Sequence, residues 1–209
     1  TATSPPRPLP RSIFWISGWS VSADWLANAA RMTLPEFLHE AVDASDTAAA
    51  RASASCAHIL GGFSLGAHLL LNIDDPRPRI LLAPFVDLKS EAGLGGAVAR
   101  TQLRQQLRWL KRDSRAAVAD FQARIGFEAP SEEPHNVAAL AWGLEKMLAP
   151  GETPSAWPTG TLAIAGRSDP LLDVDALARA LPALHVVDAG HAPAPLLAAA
   201  ARLKIATPR

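Results

Sequence analysis

The 209-residue chain has one cysteine and no tyrosine, and its 20 basic residues are balanced by 20 acidic ones. A single cysteine forms no internal disulfide, which is typical of a reducing compartment, and we expect Cys56 to be a small buried filler. The balanced charge gives no general attraction for nucleic acid or for a membrane surface. No apolar run is long enough to span a bilayer and no secretory signal is visible, so we expect a cytoplasmic protein.

Two further kinds of motif are missing. No cluster of histidine, cysteine and acidic residues has metal-ligand spacing, and no glycine-rich phosphate loop is present. We therefore expect neither a metal nor a cofactor. The 49% content of hydrophobic residues is enough for a sizeable core, and the length fits one domain.

The chain is organised around one turn. Residues 62–66 read Gly-Phe-Ser-Leu-Gly, which matches Gly-x-Ser-x-Gly. An apolar run over 59–63 predicts a buried strand before it, and 67–73 predicts a helix after it. In that setting a sharp strand-to-helix turn holds the serine in a strained conformation, with its hydroxyl exposed at the helix N-terminus. Ser64 is the candidate nucleophile; the alternative is an ordinary glycine-rich turn with a surface serine.

Strands and helices alternate along most of the chain, which predicts a parallel sheet with helical crossovers. We expect residues 1–11 to be a proline-rich flexible tail, and 12–88 with 157–209 to form the core. The predicted strands lie at 12–17, 40–43 (a weak candidate), 59–63, 79–85, 160–166 and 183–188. Residues 89–156 form a helical insertion, with helices over 98–125 and 136–148 and no strand.

Three residues that together make a hydrolytic triad lie just beyond predicted strands, in the order Ser64, Asp169, His191. This order of nucleophile, acid and histidine is that of the α/β-hydrolases. His191 would accept the serine proton, and Asp169 would orient the imidazole. The backbone N–H groups of Leu65 and Trp19 would stabilise the oxyanion. Asp169 has an alternative role as a helix cap, and 173 and 175 hold competing aspartates.

Four motifs carry a family resemblance: residues 18–20, 62–66, 166–170 and 190–193, which read Gly-Trp-Ser, Gly-Phe-Ser-Leu-Gly, Gly-Arg-Ser-Asp-Pro and Gly-His-Ala-Pro. With them the chain resembles the α/β-hydrolases, and more narrowly the pimeloyl-[acyl-carrier protein] methyl ester esterases of biotin biosynthesis. The resemblance implies a serine carboxylesterase that hydrolyses an alkyl ester of an acyl chain, with a methyl ester as the expected substrate. It also implies an α/β-hydrolase fold with a small helical cap.

Two features depart from that family. The antiparallel strand pair with which the superfamily usually begins is missing, so we expect a trimmed, mostly parallel sheet of about six strands. The histidine that usually precedes the glycine of the first loop is Ser17.

The predicted insertion carries a ridge of arginines at four-residue intervals, Arg100, Arg104, Arg108 and Arg112. On a helix they share one face, which would attract an acidic acyl carrier protein. The alternative is a solvated helix face. Apolar residues of the same insertion could line an acyl pocket or simply pack: Leu103, Leu107, Trp109, Leu110 and Phe121.

Other functions remain open from sequence alone, because a fold does not fix its substrate. A thioesterase, a lipase or a C–C bond hydrolase would use the same triad. A hydrolase-like protein without catalysis would serve as a binding module, although an intact triad argues against that.

Overall fold

The computed structural model describes residues 11–127, 136–154, 156 and 158–203. Six parallel strands form the main sheet, in the order β2-β1-β3-β4-β7-β8. These strands are β1 (Arg11–Ile16), β2 (Phe37–Val42), β3 (Ile59–Phe63), β4 (Arg79–Leu82), β7 (Leu162–Gly166) and β8 (Leu184–Val187). A separate pair consists of β5 (Asp87–Lys89) and β6 (Gly95–Val98). The expected parallel sheet of about six strands is confirmed.

Eight helices connect the strands within the described part of the chain. They are α1 (Ala23–Thr33), α2 (Ala48–Ala54), α3 (Leu65–Leu71), α4 (Arg100–Arg112), α5 (Ser114–Arg124), α6 (Val137–Leu148), α7 (Val174–Ala180) and α8 (Pro193–Arg202). Helix α1 packs with α8, and α2 packs with α3, so that helices cover both faces of the sheet. The central strands β3, β4 and β7 are accordingly buried at every position.

The register of β1 against β3 depends on a residue without a side chain. Trp15 on β1 lies opposite Gly61 on β3, and a β-carbon at Gly61 would collide with the Trp15 indole. Trp15 is fully buried. The indole therefore fills the space over the neighbouring strand, and this fixes β1 against β3 where both strands end near the site.

The strand order reverses between β1 and β3. The chain leaves β1 for the edge strand β2 and then returns across β1 to β3. In open parallel sheets, ligands bind beyond the carboxyl ends of the strands at such a switch point. The segments that follow β1 and β3, which hold Trp19 and Ser64, meet at this place.

The segment between β4 and β7 differs from the prediction in two ways. The helix expected over 98–125 is two helices, because the chain breaks at Asp113, whose carboxylate caps α5 by accepting from the Ala116 N–H at 3.0 Å. The expectation of no strand here is also wrong, since β6 pairs with β5. Gly96 favours this close pairing, because a β-carbon there would collide with the Leu88 carbonyl.

Two other predictions have different outcomes. Cys56 is exposed, so the expectation of a buried filler is wrong; the residue lies in the turn between α2 and β3 rather than in the strand. The weak strand predicted at 40–43 is a full edge strand, β2. The predicted tail, residues 1–11, lies outside the described residues except for Arg11, which begins β1.

Candidate active site

Ser64 occupies the sharp turn between β3 and α3. Its backbone has φ 52° and ψ −112°, a region that non-glycine residues rarely adopt and that costs about 1–3 kcal/mol. A β-carbon at Gly62 would lie 2.6 Å from the Ala67 nitrogen, and one at Gly66 would collide with the Ile16 carbonyl. The two glycines therefore allow the strand, the turn and the helix to pack this closely, as the motif predicts.

Ser64, His191 and Asp169 form a hydrogen-bonded series across distant parts of the chain. His191 Nε2 lies 2.9 Å from Ser64 Oγ, and His191 Nδ1 lies 2.6 Å from Asp169 Oδ2. A carboxylate only accepts, so Nδ1 carries the proton toward Asp169 and Nε2 accepts from the serine hydroxyl. The three side chains are buried, with His191 fully enclosed. This arrangement can transfer a proton from the serine to the imidazole.

The acid is held in place by its own loop. Asp169 Oδ1 accepts from the Leu171 N–H at 2.8 Å, which leaves Oδ2 for His191. Asp173 instead caps α7 by accepting from the Ala176 N–H at 3.0 Å, and Asp175 is exposed. Of the three aspartates considered from sequence, the one in contact with the imidazole is Asp169.

Trp19 and Leu65 also come together. A β-carbon at Gly143 on α6 would lie 2.7 Å from Trp19 Cδ1 and 3.1 Å from Leu65 Cδ2, so both side chains lie against the same point of that helix. Among the described residues, neither the Trp19 nor the Leu65 backbone N–H donates a hydrogen bond. Two free N–H groups on converging segments can bind an anionic oxygen next to Ser64.

Helices of the insertion cover this part of the site. The Trp19 indole N–H donates to the Leu140 carbonyl on α6 at 2.7 Å. The indole ring also packs edge-on against the Phe121 ring on α5, with 4.7 Å between the ring centroids. A narrow, mostly apolar cavity lies under the same helices. It is lined by Leu88, Val98, Gln102, Leu103, Gln106, Phe121, Arg124, Leu144 and Leu171.

The predicted arginine ridge lies on the outer face of α4. Arg100, Arg104, Arg108 and Arg112 are all exposed. Within the part of the chain that the structure describes, no guanidinium group of the four forms an ion pair, although the Arg100 backbone N–H donates to the Glu91 carboxylate at 3.0 Å. Among the described residues, the ridge is therefore an exposed basic surface without side-chain ion pairs.

The remaining histidines that the structure describes lie outside the triad. His58 contacts Ser12, and His185 is exposed. The His68 imidazole stacks on the Phe85 ring, and His68 Nδ1 lies 3.0 Å from the Phe85 carbonyl oxygen. Burial lowers the pKa of the His68 imidazole. Among the described residues, no three histidine, cysteine or acidic side chains are grouped to hold a metal ion, and no helix is long and apolar enough to cross a membrane.

Sequence reasoning missed two residues beside the site. Gly143 lies inside an apolar helix, and a glycine in that position is a signal of close packing. Ser20, which follows Trp19, has φ 62°, and nothing in the sequence indicates that strain.

Comparison with known proteins finds solved structures of similar fold but no relative of similar sequence. No protein-family model matches the chain, and no curated protein matches it. Among solved structures, an N-formylmaleamic acid deformylase from Pseudomonas putida aligns at 13% identity and TM-score 0.60, covering 95% of this chain and 92% of that one. The bottromycin epimerase BotH aligns at 14% identity and TM-score 0.60, with coverages of 94% and 89%.

A third similar structure is RedJ, a thioesterase from the prodiginine biosynthetic pathway in Streptomyces coelicolor. It has 15% identity and TM-score 0.51, and the alignment covers 97% of this chain and 90% of that one. Structural similarity at such low sequence identity shows the fold but does not identify the reaction. The parallel sheet, the serine turn and these alignments together show that the chain has the α/β-hydrolase fold.

Proposed function

We propose that the chain is a serine carboxylesterase. The observation that supports this most is the continuous series from Ser64 Oγ through His191 to Asp169, with both contacts at hydrogen-bond distance. A buried, strained serine with its hydroxyl on an imidazole is activated for attack on a carbonyl carbon.

In this mechanism Ser64 Oγ attacks the ester carbonyl while His191 takes its proton. The carbonyl oxygen becomes negatively charged and is stabilised by the N–H groups of Leu65 and Trp19. His191 then protonates the departing alcohol, which leaves an acyl-enzyme on Ser64. A water that gives a proton to His191 attacks the acyl-enzyme, and His191 returns that proton to Ser64 Oγ as the acid is released. Asp169 stabilises the imidazolium in both stages.

The substrate we propose is a small alkyl ester, namely a methyl ester, at the end of an acyl chain. Two of the residues expected to line an acyl pocket, Leu103 and Phe121, line the cavity under the insertion. Phe121 packs directly on Trp19, so this cavity adjoins the oxyanion side of the site. The cavity has a volume of only about 10 Å³, room for a single water, so a chain would enter it only where the surrounding helices move apart, with the small alcohol left toward solvent.

We further propose that an acyl carrier protein presents this chain, as the resemblance to pimeloyl-[acyl-carrier protein] methyl ester esterases implies. The exposed arginine ridge on α4 supports the idea, because a carrier protein is acidic and a basic surface raises its rate of encounter. Residues 89–156 would then be a cap with two roles, covering the substrate and docking the carrier.

An alternative function is hydrolysis of a bond other than an alkyl ester by the same triad. RedJ is a thioesterase and the Pseudomonas putida neighbour is a deformylase, so the fold accommodates thioester and formyl-amide chemistry. A panel of methyl esters, thioesters and p-nitrophenyl esters of graded chain length distinguishes these activities. For a methyl esterase, kcat/KM is expected to be highest on the methyl esters at one preferred chain length.

The test of the mechanism is Ser64→Ala against a short p-nitrophenyl ester. We expect kcat to fall by about 10⁶-fold, since the covalent pathway is lost. Ser53→Ala changes an exposed serine of α2 and is the matched control. Unchanged turnover in Ser64→Ala would rule out this nucleophile.

The carrier hypothesis has its own test. Arg104→Glu with Arg108→Glu reverses two charges of the ridge, and the rate on a carrier-bound ester should then fall while that on the free ester stays the same. Equal effects on the two substrates would contradict docking at α4.

A further inference from the structure

Ser20 stands in an unfavourable turn beside the proposed oxyanion donors. The Val21 N–H donates to the Gly18 carbonyl at 3.3 Å, which closes a four-residue turn with Ser20 in its third position. Ser20 has φ 62°, in the left-handed region that glycine favours in such turns. Glycine would therefore suit the backbone better than serine at this position.

The side chain of Ser20 adds a second penalty. Its hydroxyl oxygen is shielded from solvent and has no hydrogen-bond partner. A buried polar group without a partner is unfavourable, and in native proteins it calls for an explanation. Glycine would remove both the strain and the orphaned hydroxyl, so the two observations point to a use for this oxygen.

The backbone of Ser20 is held from the insertion. Gln122 on α5 is 7% exposed, and its side-chain N–H donates to the Ser20 carbonyl at 2.8 Å. The preceding residue, Trp19, is bound to α6 through its indole. With both residues held by the helices above them, the loop is fixed before any substrate arrives, which is the condition for a donor that stabilises developing charge.

We propose that the Ser20 hydroxyl is a third hydrogen-bond donor to the oxyanion, beside the N–H groups of Trp19 and Leu65. This inference rests on the proposed esterase function. Ser20 as a residue is partly exposed. In the proposed role, rotation about its χ1 would bring the hydroxyl from its shielded position to the oxyanion. The hydroxyl acquires its partner when the carbonyl oxygen becomes charged.

Ser20→Gly and Ser20→Ala test the proposal on a p-nitrophenyl ester. Both remove the hydroxyl, and Ser20→Gly also relieves the backbone. We expect kcat to fall about 10- to 100-fold in both variants, toward the lower end of losses measured for oxyanion donors, with KM within about twofold. The urea midpoint of Ser20→Gly should rise, so that stability and activity change in opposite directions.

A purely structural role for Ser20 predicts otherwise: a more stable Ser20→Gly with unchanged kcat would overturn the proposal. A loss of kcat in Ser20→Gly but not in Ser20→Ala would also overturn it, because the cause would be the backbone. Ser64→Ala separates this failure from that of the esterase function. If Ser64→Ala is inactive and Ser20→Gly is fully active, only the role of Ser20 is wrong; if Ser64→Ala is active, both proposals are.

Discussion

The indole of Trp19 donates to the backbone carbonyl of Leu140 at 2.7 Å, across 121 positions of sequence. This bond joins the loop after the first strand to helix α6 of the insertion. Gly143, one turn further along that helix, lets the helix backbone lie directly on Trp19 and Leu65. The insertion is therefore packed onto the two residues whose N–H groups we propose as oxyanion donors.

Gly143→Val should impair the site more than the fold. A glycine in a helix interior is normally improved by a side chain, by about 1 kcal/mol for alanine. Here the new atoms would push α6 away from Trp19 or displace the Trp19 loop, so we expect kcat/KM on a p-nitrophenyl ester to fall at least about 10-fold, as small misplacements at active sites do. Ala138→Val, on an exposed position of the same helix, is the control. Equal kcat/KM values in the two variants would contradict this packing.

The buried pair of Trp15 and His39 predicts a pH-dependent stability. The Trp15 indole donates to His39 Nδ1 at 3.0 Å, and His39 Nε2 donates to the Leu34 carbonyl at 2.9 Å, so the ring is neutral. Burial lowers the pKa of His39 below its usual 6.5, and this outweighs the bond to Leu34. The unfolded chain then binds the proton more readily, so stability is retained above pH 6.5 and is lost as the pH falls below it.

Urea unfolding between pH 7.5 and pH 5 measures this loss. His39→Gln should show a smaller decrease in unfolding free energy than the wild type over that interval, with a residual decrease from His68, whose pKa burial also lowers. His58→Gln, which changes an exposed histidine, should behave like the wild type. A His39→Gln slope equal to that of the wild type would assign the pH dependence to other groups.

Asp87 and Lys89 form a buried ion pair where the chain enters the insertion. Their charged atoms lie 2.8 Å apart, and both side chains are under 5% exposed. Lys89 also donates to the Ala149 carbonyl at 2.6 Å, and Asp87 accepts from the Gly151 N–H at 3.0 Å. The pair therefore ties the start of the insertion to the segment that leaves it.

Lys89→Met leaves a buried carboxylate without its cation, so we expect a loss of about 3–5 kcal/mol in unfolding free energy. Asp87→Asn combined with Lys89→Met removes both charges and should cost less than the sum of the two single changes. The difference from additivity measures the coupling, which we expect to be about 1–3 kcal/mol. Strictly additive losses would mean that the two charges do not interact.

The sequence predicts the sheet and the positions of the site residues well, because both follow from local patterns. Five apolar segments and the weak candidate at 40–43 correspond to the six strands, and Ser64, Asp169 and His191 follow strands whose carboxyl ends share one edge. Because the three residues lie at the same edge of the sheet, their side chains are close enough to form hydrogen bonds.

The insertion was predicted less well, for physical reasons. The break at Asp113 depends on one capping bond within an otherwise helical pattern, and β6 is a short strand rich in glycine, which has little strand propensity of its own. The strain at Ser20 and the contact at Gly143 arise from tertiary packing between segments far apart in sequence. Within one segment, the glycine inside an apolar helix is the only sign of the Gly143 contact, and nothing indicates the strain at Ser20.

The central claim is that Ser64 is an activated nucleophile, and covalent labelling tests it most directly. A fluorophosphonate probe reacts with a serine only where an imidazole activates its hydroxyl and an oxyanion site receives the phosphoryl oxygen. Mass spectrometry of the labelled wild type should give one adduct per chain, on the peptide that contains Ser64, and none on Ser64→Ala. A wild type that stays unlabelled, or an adduct that persists in Ser64→Ala, would contradict the account.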